Sequence, residues 1–190
     1  MRIAVFIDFQ GTIGGEGIDD IRSLTLYPFV AKAIQKLNAS NLLVIGLTNQ
    51  SHISKGELTW EEYHSKLKSI ESELLQTGAH FDAVYCCPHT QEDRCTCKKP
   101  LPGMVYDACE KFDIDLVRAY VIGDMGMSDM VLAKNIGAKG ILVLTGVGRG
   151  SLTEYRHTWS DCEAYRVVEN IEEAVDFILA DIKQGESCVH

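Results

Sequence analysis

Five short, nearly uninterrupted apolar runs, several closing on a polar cluster, restrict what this chain can fold into more than any other feature. Ile3 to Ile7 closes on Asp8 and Leu42 to Leu47 on Thr48-Asn49-Gln50, while Ala83 to Cys86, Ala119 to Ile122 and Ile141 to Leu144 give three more. A strand with one wet face alternates apolar and polar residues, whereas a continuous apolar run reads as a strand buried on both faces of a parallel sheet. Helical patterns separate the runs. Phe29, Ala33, Ile34 and Leu37 share one face, and Thr59 with Glu62 forms a capping-box signature ahead of Trp60, Tyr63, Leu67, Ile70 and Leu74, with Gly78 as the stop. Pro102 opens another helix, Ser128 to Ile136 a short one closed by Gly137, and Asn170 with Glu173 the last. Strands alternating with helices predict an α/β fold, a Rossmann-like parallel sheet with helices on both faces. Ligands of such sheets bind beyond the carboxyl ends of the strands, where the polar clusters fall.

The length of 190 residues and the lack of repeats or linkers point to one domain over residues 1–190. With 18 basic against 27 acidic residues the net charge is -9, which disfavours nonspecific binding of nucleic acid or anionic membranes. No apolar stretch approaches the roughly 20 residues of a membrane span. The opening run is cut by Asp8 too early for a secretory signal, so a cytoplasmic protein is expected. Four of the seven cysteines fall between Cys86 and Cys97, and in a reducing compartment that clustering suggests a metal site before disulfides.

Four clusters carry chemistry. In Asp8-Phe9-Gln10-Gly11-Thr12, a carboxylate at a strand tip can act as nucleophile or metal ligand, or simply cap a turn. Thr48-Asn49-Gln50 can hold a phosphate oxygen or be an ordinary loop. Lys98-Lys99-Pro100 is a solvated loop unless a lysine is aimed into a pocket, where it would neutralise phosphoryl charge. In Gly123-Asp124-Met125-Gly126-Met127-Ser128-Asp129, two acids flank a glycine turn at a spacing that lets both reach one Mg²⁺ and its water shell. Cys87-Pro88-His89 and Cys95-Thr96-Cys97 add three thiolates and one imidazole, a closed ligand set for a structural, tetrahedral Zn²⁺ in a loop over 86–98.

In this order and at successive strand ends, the four clusters resemble the motifs of the haloacid dehalogenase superfamily of phosphotransferases. The resemblance covers residues 2–148 and leaves 149–190 as a C-terminal extension. Thr48-Asn49-Gln50, Cys87-Pro88-His89 and Cys97-Lys98-Lys99-Pro100 are similar to the branch holding histidinol-phosphate phosphatase and heptose-bisphosphate phosphatase, which has minimal or no cap domain. The resemblance implies a Mg²⁺-dependent phosphatase acting on a small phosphorylated metabolite, as a monomer or weak homodimer. Asp8 would be the nucleophile that becomes an aspartyl phosphate. Asp8, the backbone carbonyl of Gln10 and Asp124 would bind Mg²⁺, with Asp129 close by. Thr48, Asn49 and Lys99 would hold the transferring phosphoryl group, and Lys98 would grip substrate.

Gln10 departs from the family pattern, which has there a second Asp that protonates the leaving oxygen and later activates water. An amide cannot transfer protons, and loss of a general acid–base typically costs about 10²–10⁴-fold. A non-hydrolytic phosphometabolite-binding protein and a phosphotransferase with an acceptor other than water are the alternatives on the same fold. Residues Gly14 to Gly17 with Asp19 and Asp20 form a flexible, acidic first loop, which would suit an amine-bearing substrate such as histidinol phosphate. His52 can touch substrate or be a solvated loop histidine. Arg149 can reach an anionic substrate, although Gly146 to Gly150 does not read as a nucleotide loop opening a helix. Cys109, Cys162 and Cys188 lack partners, and the acidic C-terminal helix is expected on the sheet edge.

Overall fold

The computed structural model describes residues 1–18 and 20–187. Asp19, expected to add to the acidity of the first loop, and Cys188, expected as an unpartnered thiol, lie outside the described residues. Among the described residues, six strands form one parallel sheet: β1 (Ala4–Asp8), β2 (Leu43–Asn49), β3 (Ala83–Cys87), β4 (Tyr120–Gly123), β5 (Lys139–Val143) and β6 (Arg166–Val168). Their order is β3-β2-β1-β4-β5-β6, so the direction of winding reverses between β1 and β4. A crevice opens at such a reversal, at the carboxyl ends of the strands.

The five apolar runs are β1 to β5, each within two residues of its expected bounds. Their side chains alternate between two cores, as a period of two requires. Val5, Ile7, Tyr120, Ile122, Ile141 and Val143 enter one, while Ala4, Phe6, Leu43, Ile45 and Val121 enter the other. Helices α1 (Val30–Ala39), α2 (Trp60–Gln76) and α6 (Ile171–Ser187) cover the first face, and α3 (Gly103–Lys111) and α4 (Val131–Ile136) the second. The capping box at Thr59 is present: its hydroxyl accepts from the Glu62 N–H at 3.1 Å while the Glu62 carboxylate accepts from the Thr59 N–H at 2.8 Å.

The C-terminal region differs from expectation in two ways. Helix α6 lies beside α1 on the sheet face over β4, β5 and β6, not on the edge. Its Asp181 accepts from the Tyr120 hydroxyl at 2.5 Å and from Lys139 Nζ at 2.6 Å, which ties it to the first residues of β4 and β5. The edge is β6, whose three residues are too few and too exposed to give a hydrophobic signal. Gly148–Leu152 is also helical (α5), whereas Gly146 to Gly150 was not expected to open a helix. Among the described residues, the connection from β1 to α1 holds one 3₁₀ turn, Ile21–Ser23, and two isolated β-bridges, too little to make a cap domain.

Candidate active site

The crevice between β1 and β4 gathers the acids and the lysine. Asp8 is the last residue of β1, and its Oδ1 accepts from Lys99 Nζ at 2.5 Å. The same ammonium reaches Asp129 Oδ1 at 2.7 Å. Lys99 is only 5% exposed, so both pairs are shielded from water. Burial disfavours the charged lysine, but the Asp129 and Asp8 carboxylates outweigh it and hold its pKa above the usual lysine value. Thr12 Oγ1 lies 3.5 Å from Asp8 Oδ2.

Asp124 follows β4, and its Oδ2 accepts from the Val147 N–H at 2.8 Å. Three glycines crowd this carboxylate: a Cβ would lie 2.0 Å from Oδ2 if added at Gly11, 2.2 Å at Gly146 and 2.6 Å at Gly17. Only glycine allows these loops to close around it. Asp129 sits in a π turn, Gly126–Met130, that precedes α4, with its Oδ2 accepting from the Met125 N–H at 3.1 Å. Carboxylate oxygens of Asp8, Asp124 and Asp129 lie within 4.8 Å of one another. Burial, then the charges of Asp8 and Asp129, push the Asp124 pKa up to about 8. Burial pushes Asp8 to about 6, with Lys99 opposing. Hard oxygen donors packed this closely, with one ammonium among three acids, fit a divalent cation such as Mg²⁺.

Thr48, Asn49 and Lys98 gather at the carboxyl ends of the strands, and each side chain is hydrogen-bonded to other parts of the protein. Both polar atoms of the Asn49 amide serve the Lys99 backbone: Oδ1 accepts from its N–H at 3.0 Å and Nδ2 donates to its carbonyl at 3.2 Å. Thr48 is fully buried and its hydroxyl donates to Gln10 Oε1 at 3.2 Å. Lys98 Nζ donates to Ser51 Oγ and, at 3.0 Å, to the His89 carbonyl. Gln50, to which the sequence assigned no separate role, is wholly buried and donates Nε2 to Gln10 Oε1 at 3.0 Å and to Thr48 Oγ1 at 2.8 Å. The oxygen end of the Gln10 amide is thus held from two sides. Arg149 is exposed and pairs with Glu169 at 2.6 Å, away from the crevice.

Above these residues lies a cavity of about 730 Å³, lined among others by Asp8, Gln10, His52, Lys55, Lys98 and Asp124, with Ile18 and Met127 as apolar wall. His52 therefore faces the cavity, with its Nδ1 2.6 Å from Glu57 Oε2. The acidity expected of the first loop is partly neutralised, because Asp20 accepts from the Arg22 guanidinium at 2.5 and 3.0 Å.

The expected zinc ligands also converge. The Sγ atoms of Cys87, Cys95 and Cys97 and a ring nitrogen of His89 lie within 4.8 Å of one another. His89 Nδ1 is 3.2 Å from Cys97 Sγ, and the Cys87 and Cys97 sulfurs are 3.0 Å apart. This donor set fits a closed tetrahedral Zn²⁺. Cys86 points to the opposite core, as strand alternation requires, and burial pushes its thiol up to about 12.

A sheet of this order, with an acid at the β1 tip, two acids after β4 and a buried lysine bridging them, defines a phosphatase of the haloacid dehalogenase type. Comparisons with known proteins agree. A HAD-hydrolase-like family model matches residues 96–174, and the polynucleotide kinase 3 phosphatase model matches residues 17–126. The D-glycero-beta-D-manno-heptose-1,7-bisphosphate 7-phosphatase of Yersinia pestis is 33% identical over 154 residues, covering 75% of this chain and 81% of the relative. The Bordetella bronchiseptica enzyme of that name is 34% identical over 127 residues, covering 67% of this chain and 70% of its own. A crystal structure of the D,D-heptose 1,7-bisphosphate phosphatase from B. bronchiseptica complexed with magnesium and phosphate superposes with a TM-score of 0.85 at 28% identity, covering 95% of this chain and 99% of that one. The chain belongs to the haloacid dehalogenase superfamily, in the family of the heptose-1,7-bisphosphate 7-phosphatases.

Proposed function

We propose that this phosphatase hydrolyses the phosphate monoester of a small sugar phosphate through an aspartyl phosphate on Asp8. The observation that carries the reading is the buried Asp8–Lys99–Asp129 chain beside Asp124 at the floor of a solvent-reaching cavity. An Asp8 oxygen attacks phosphorus, the ester P–O bond breaks and its electron pair leaves with the sugar oxygen. Water then attacks the phosphorus of the aspartyl phosphate, the bond to Asp8 breaks and inorganic phosphate departs. Lys99 absorbs phosphoryl charge, which together with in-line positioning is most of what this chemistry needs. Asn49 fixes Lys99 by its backbone, and Thr48 with Gln50 fixes Gln10. A Mg²⁺ held by Asp8, the Gln10 backbone carbonyl and Asp124, with Asp129 beside it, would neutralise further phosphoryl charge. A Zn²⁺ on Cys87, His89, Cys95 and Cys97 would order the loop that carries Lys98 and Lys99.

The relatives named for a heptose bisphosphate, and a cavity bearing Lys55 and Lys98, favour an anionic polyol over an amine. The pairing of Asp20 with Arg22 weakens the acidity that suited histidinol phosphate. The same reading takes residues 1–190 as one cytoplasmic domain, a monomer or weak homodimer, acting on a free metabolite. Its net charge of -9 argues against a nucleic-acid substrate. No helix among the described residues is long and apolar enough to cross a membrane. The test is phosphate release from D-glycero-β-D-manno-heptose 1,7-bisphosphate and p-nitrophenyl phosphate with Mg²⁺. Asp8→Asn should lower both by roughly 10³-fold or more, the loss expected of a removed nucleophile. Undiminished release by that variant would end the proposal.

A further inference from the structure

The chemistry just described lacks a group to move protons. A sugar alkoxide leaves poorly unless protonated, and the water that attacks the aspartyl phosphate must lose a proton. Gln10 does neither, because an amide neither gives nor takes a proton at this task, and its oxygen is held by Thr48 and Gln50. Among the described residues, the ionisable side chains lining the cavity are Asp8, Asp124, Lys99, Lys98, Lys55 and His52. Asp8, Asp124 and Lys99 form the phosphoryl and cation cluster. Lys98 is bonded to Ser51 and the His89 carbonyl, and a lysine is a poor acid near neutrality.

His52 is different. Its Nδ1 is 2.6 Å from Glu57 Oε2, the arrangement in which a carboxylate orients an imidazole and leaves Nε2 for a ligand. The ring is carried by a turn closed on itself: the His52 carbonyl accepts from the N–H groups of Glu57 at 2.9 Å and Leu58 at 3.1 Å, and the Gln50 carbonyl from Ile53 at 3.0 Å. The turn is continuous with Gln50, whose side chain touches Gln10, and two residues span at most about 7 Å. His52 therefore lines the same cavity as Asp8 and Gln10. The charged groups facing it are Glu57 on its own turn, Lys55 along the rim and Asp20 of the first loop, the last already paired with Arg22.

We infer that His52, oriented by Glu57, is the general acid–base of this chain. The inference rests on the reading of Asp8 as nucleophile. Nε2–H gives its proton to the sugar oxygen as the ester P–O bond breaks. Nε2 then takes a proton from water as the new P–O bond forms and the Asp8 carboxylate leaves, so His52 ends the cycle as it began.

The test uses His52→Gln and Glu57→Gln in the full chain, with Mg²⁺, on heptose 1,7-bisphosphate, phenyl phosphate and p-nitrophenyl phosphate. For His52→Gln, kcat/KM on the heptose ester should fall about 10²-fold, while on p-nitrophenyl phosphate, whose leaving group departs unprotonated, it should stay within about 3-fold. Phenyl phosphate should fall between. Because the second proton transfer is also lost, the variant should release a burst of p-nitrophenolate of about one equivalent before a slow steady rate, as an accumulating covalent intermediate requires. Glu57→Gln should show the same ordering with smaller losses. Adding Gln10→Asp to His52→Gln should restore the heptose ester. An equal loss on all three esters, a loss carried by KM alone, no loss, or no restoration by Gln10→Asp would overturn the assignment. Preserved kcat/KM on p-nitrophenyl phosphate keeps this outcome separate from a failure of the Asp8 reading, which the Asp8→Asn variant reports.

Discussion

Removing divalent metal should make the protein less stable as pH rises from about 6 to about 8, and Mg²⁺ should abolish that trend. The perturbation acts on the three acids around Lys99. Asp124 has its pKa lifted from 3.8 to about 8 by burial and by its acidic neighbours. A carboxyl raised in this way favours the folded state in its protonated form. The contribution is fully present below 3.8, where both states are protonated, and is lost as pH rises through about 8. Asp8, raised to about 6, is half titrated at the start of the window and loses the rest of its share within about one pH unit. Asp20, Glu62, Asp93, Glu172 and Asp181 are shifted the other way, and their contributions are lost only as pH falls below the ordinary carboxylate range. Between pH 6 and 8, one proton held by the folded state alone changes stability by about 1.4 kcal/mol per pH unit. Over the window that is about 3 kcal/mol. At about 2–4 °C per kcal/mol for a chain of this size, Tm should fall by roughly 5–12 °C. A cation that binds only the folded, ionised cluster adds about 2.7 kcal/mol at a hundred times its Kd, enough to offset most of the loss. The assay is thermal unfolding in EDTA and in Mg²⁺ at several pH values, with Asp124→Asn as control. A metal-free Tm that stays flat or rises across the window would refute the reasoning, as would an equal slope in Asp124→Asn.

Two further perturbations follow from the geometry. Cys95→Ser should remove about one equivalent of zinc, measured by elemental analysis, and lower Tm, because the binding free energy of a closed site is the ordering free energy of its loop; wild-type stability with no zinc in the parent protein would contradict this. Gly146→Ala places a Cβ 2.2 Å from Asp124 Oδ2 and 2.4 Å from Gly11 Cα at a residue with φ +54, so stability should fall by about 2–4 kcal/mol and half-maximal activity should need roughly tenfold more Mg²⁺; an unchanged Mg²⁺ titration would show that the Asp124 carboxylate does not depend on the glycines around it.

Strands β1 to β5 could be read from the sequence because each is buried on both faces, which forces a continuous apolar run. Strand β6 could not, since it pairs only with β5 and its Arg166-Val167-Val168 is half exposed. Helix α5 opposes its own glycine content. It forms because Ser151 Oγ donates to the Asp124 carbonyl at 2.8 Å and accepts from the Gly126 N–H at 3.2 Å, while Trp159 Nε1 donates to the Ser151 carbonyl at 2.9 Å. The two Ser151 hydroxyl contacts join residues 27 and 25 apart in the chain, so no local propensity reveals them.

The site divides along the same line. Each acid could be located because a carboxylate beside glycine at the end of an apolar run is a local pattern. What each polar atom touches depends instead on which strand ends are neighbours. Pairing of Asp8 with Leu47 across β1 and β2 brings Gln10 within reach of Thr48 and Gln50, and pairing of β1 with β4 brings Asp124 to Asp8. With strand order unknown, nothing in the sequence shows that the Asn49 side-chain amide is engaged by the Lys99 backbone, fifty residues away. The His52–Glu57 pair is close in sequence yet follows no helical or strand period, because a closed turn brings the two together. Gln10 therefore cannot be judged by its own side chain. Whether an amide at that position silences hydrolysis depends on whether a neighbouring strand end supplies another proton carrier, and the turn after β2 brings His52 to the lining of the same cavity.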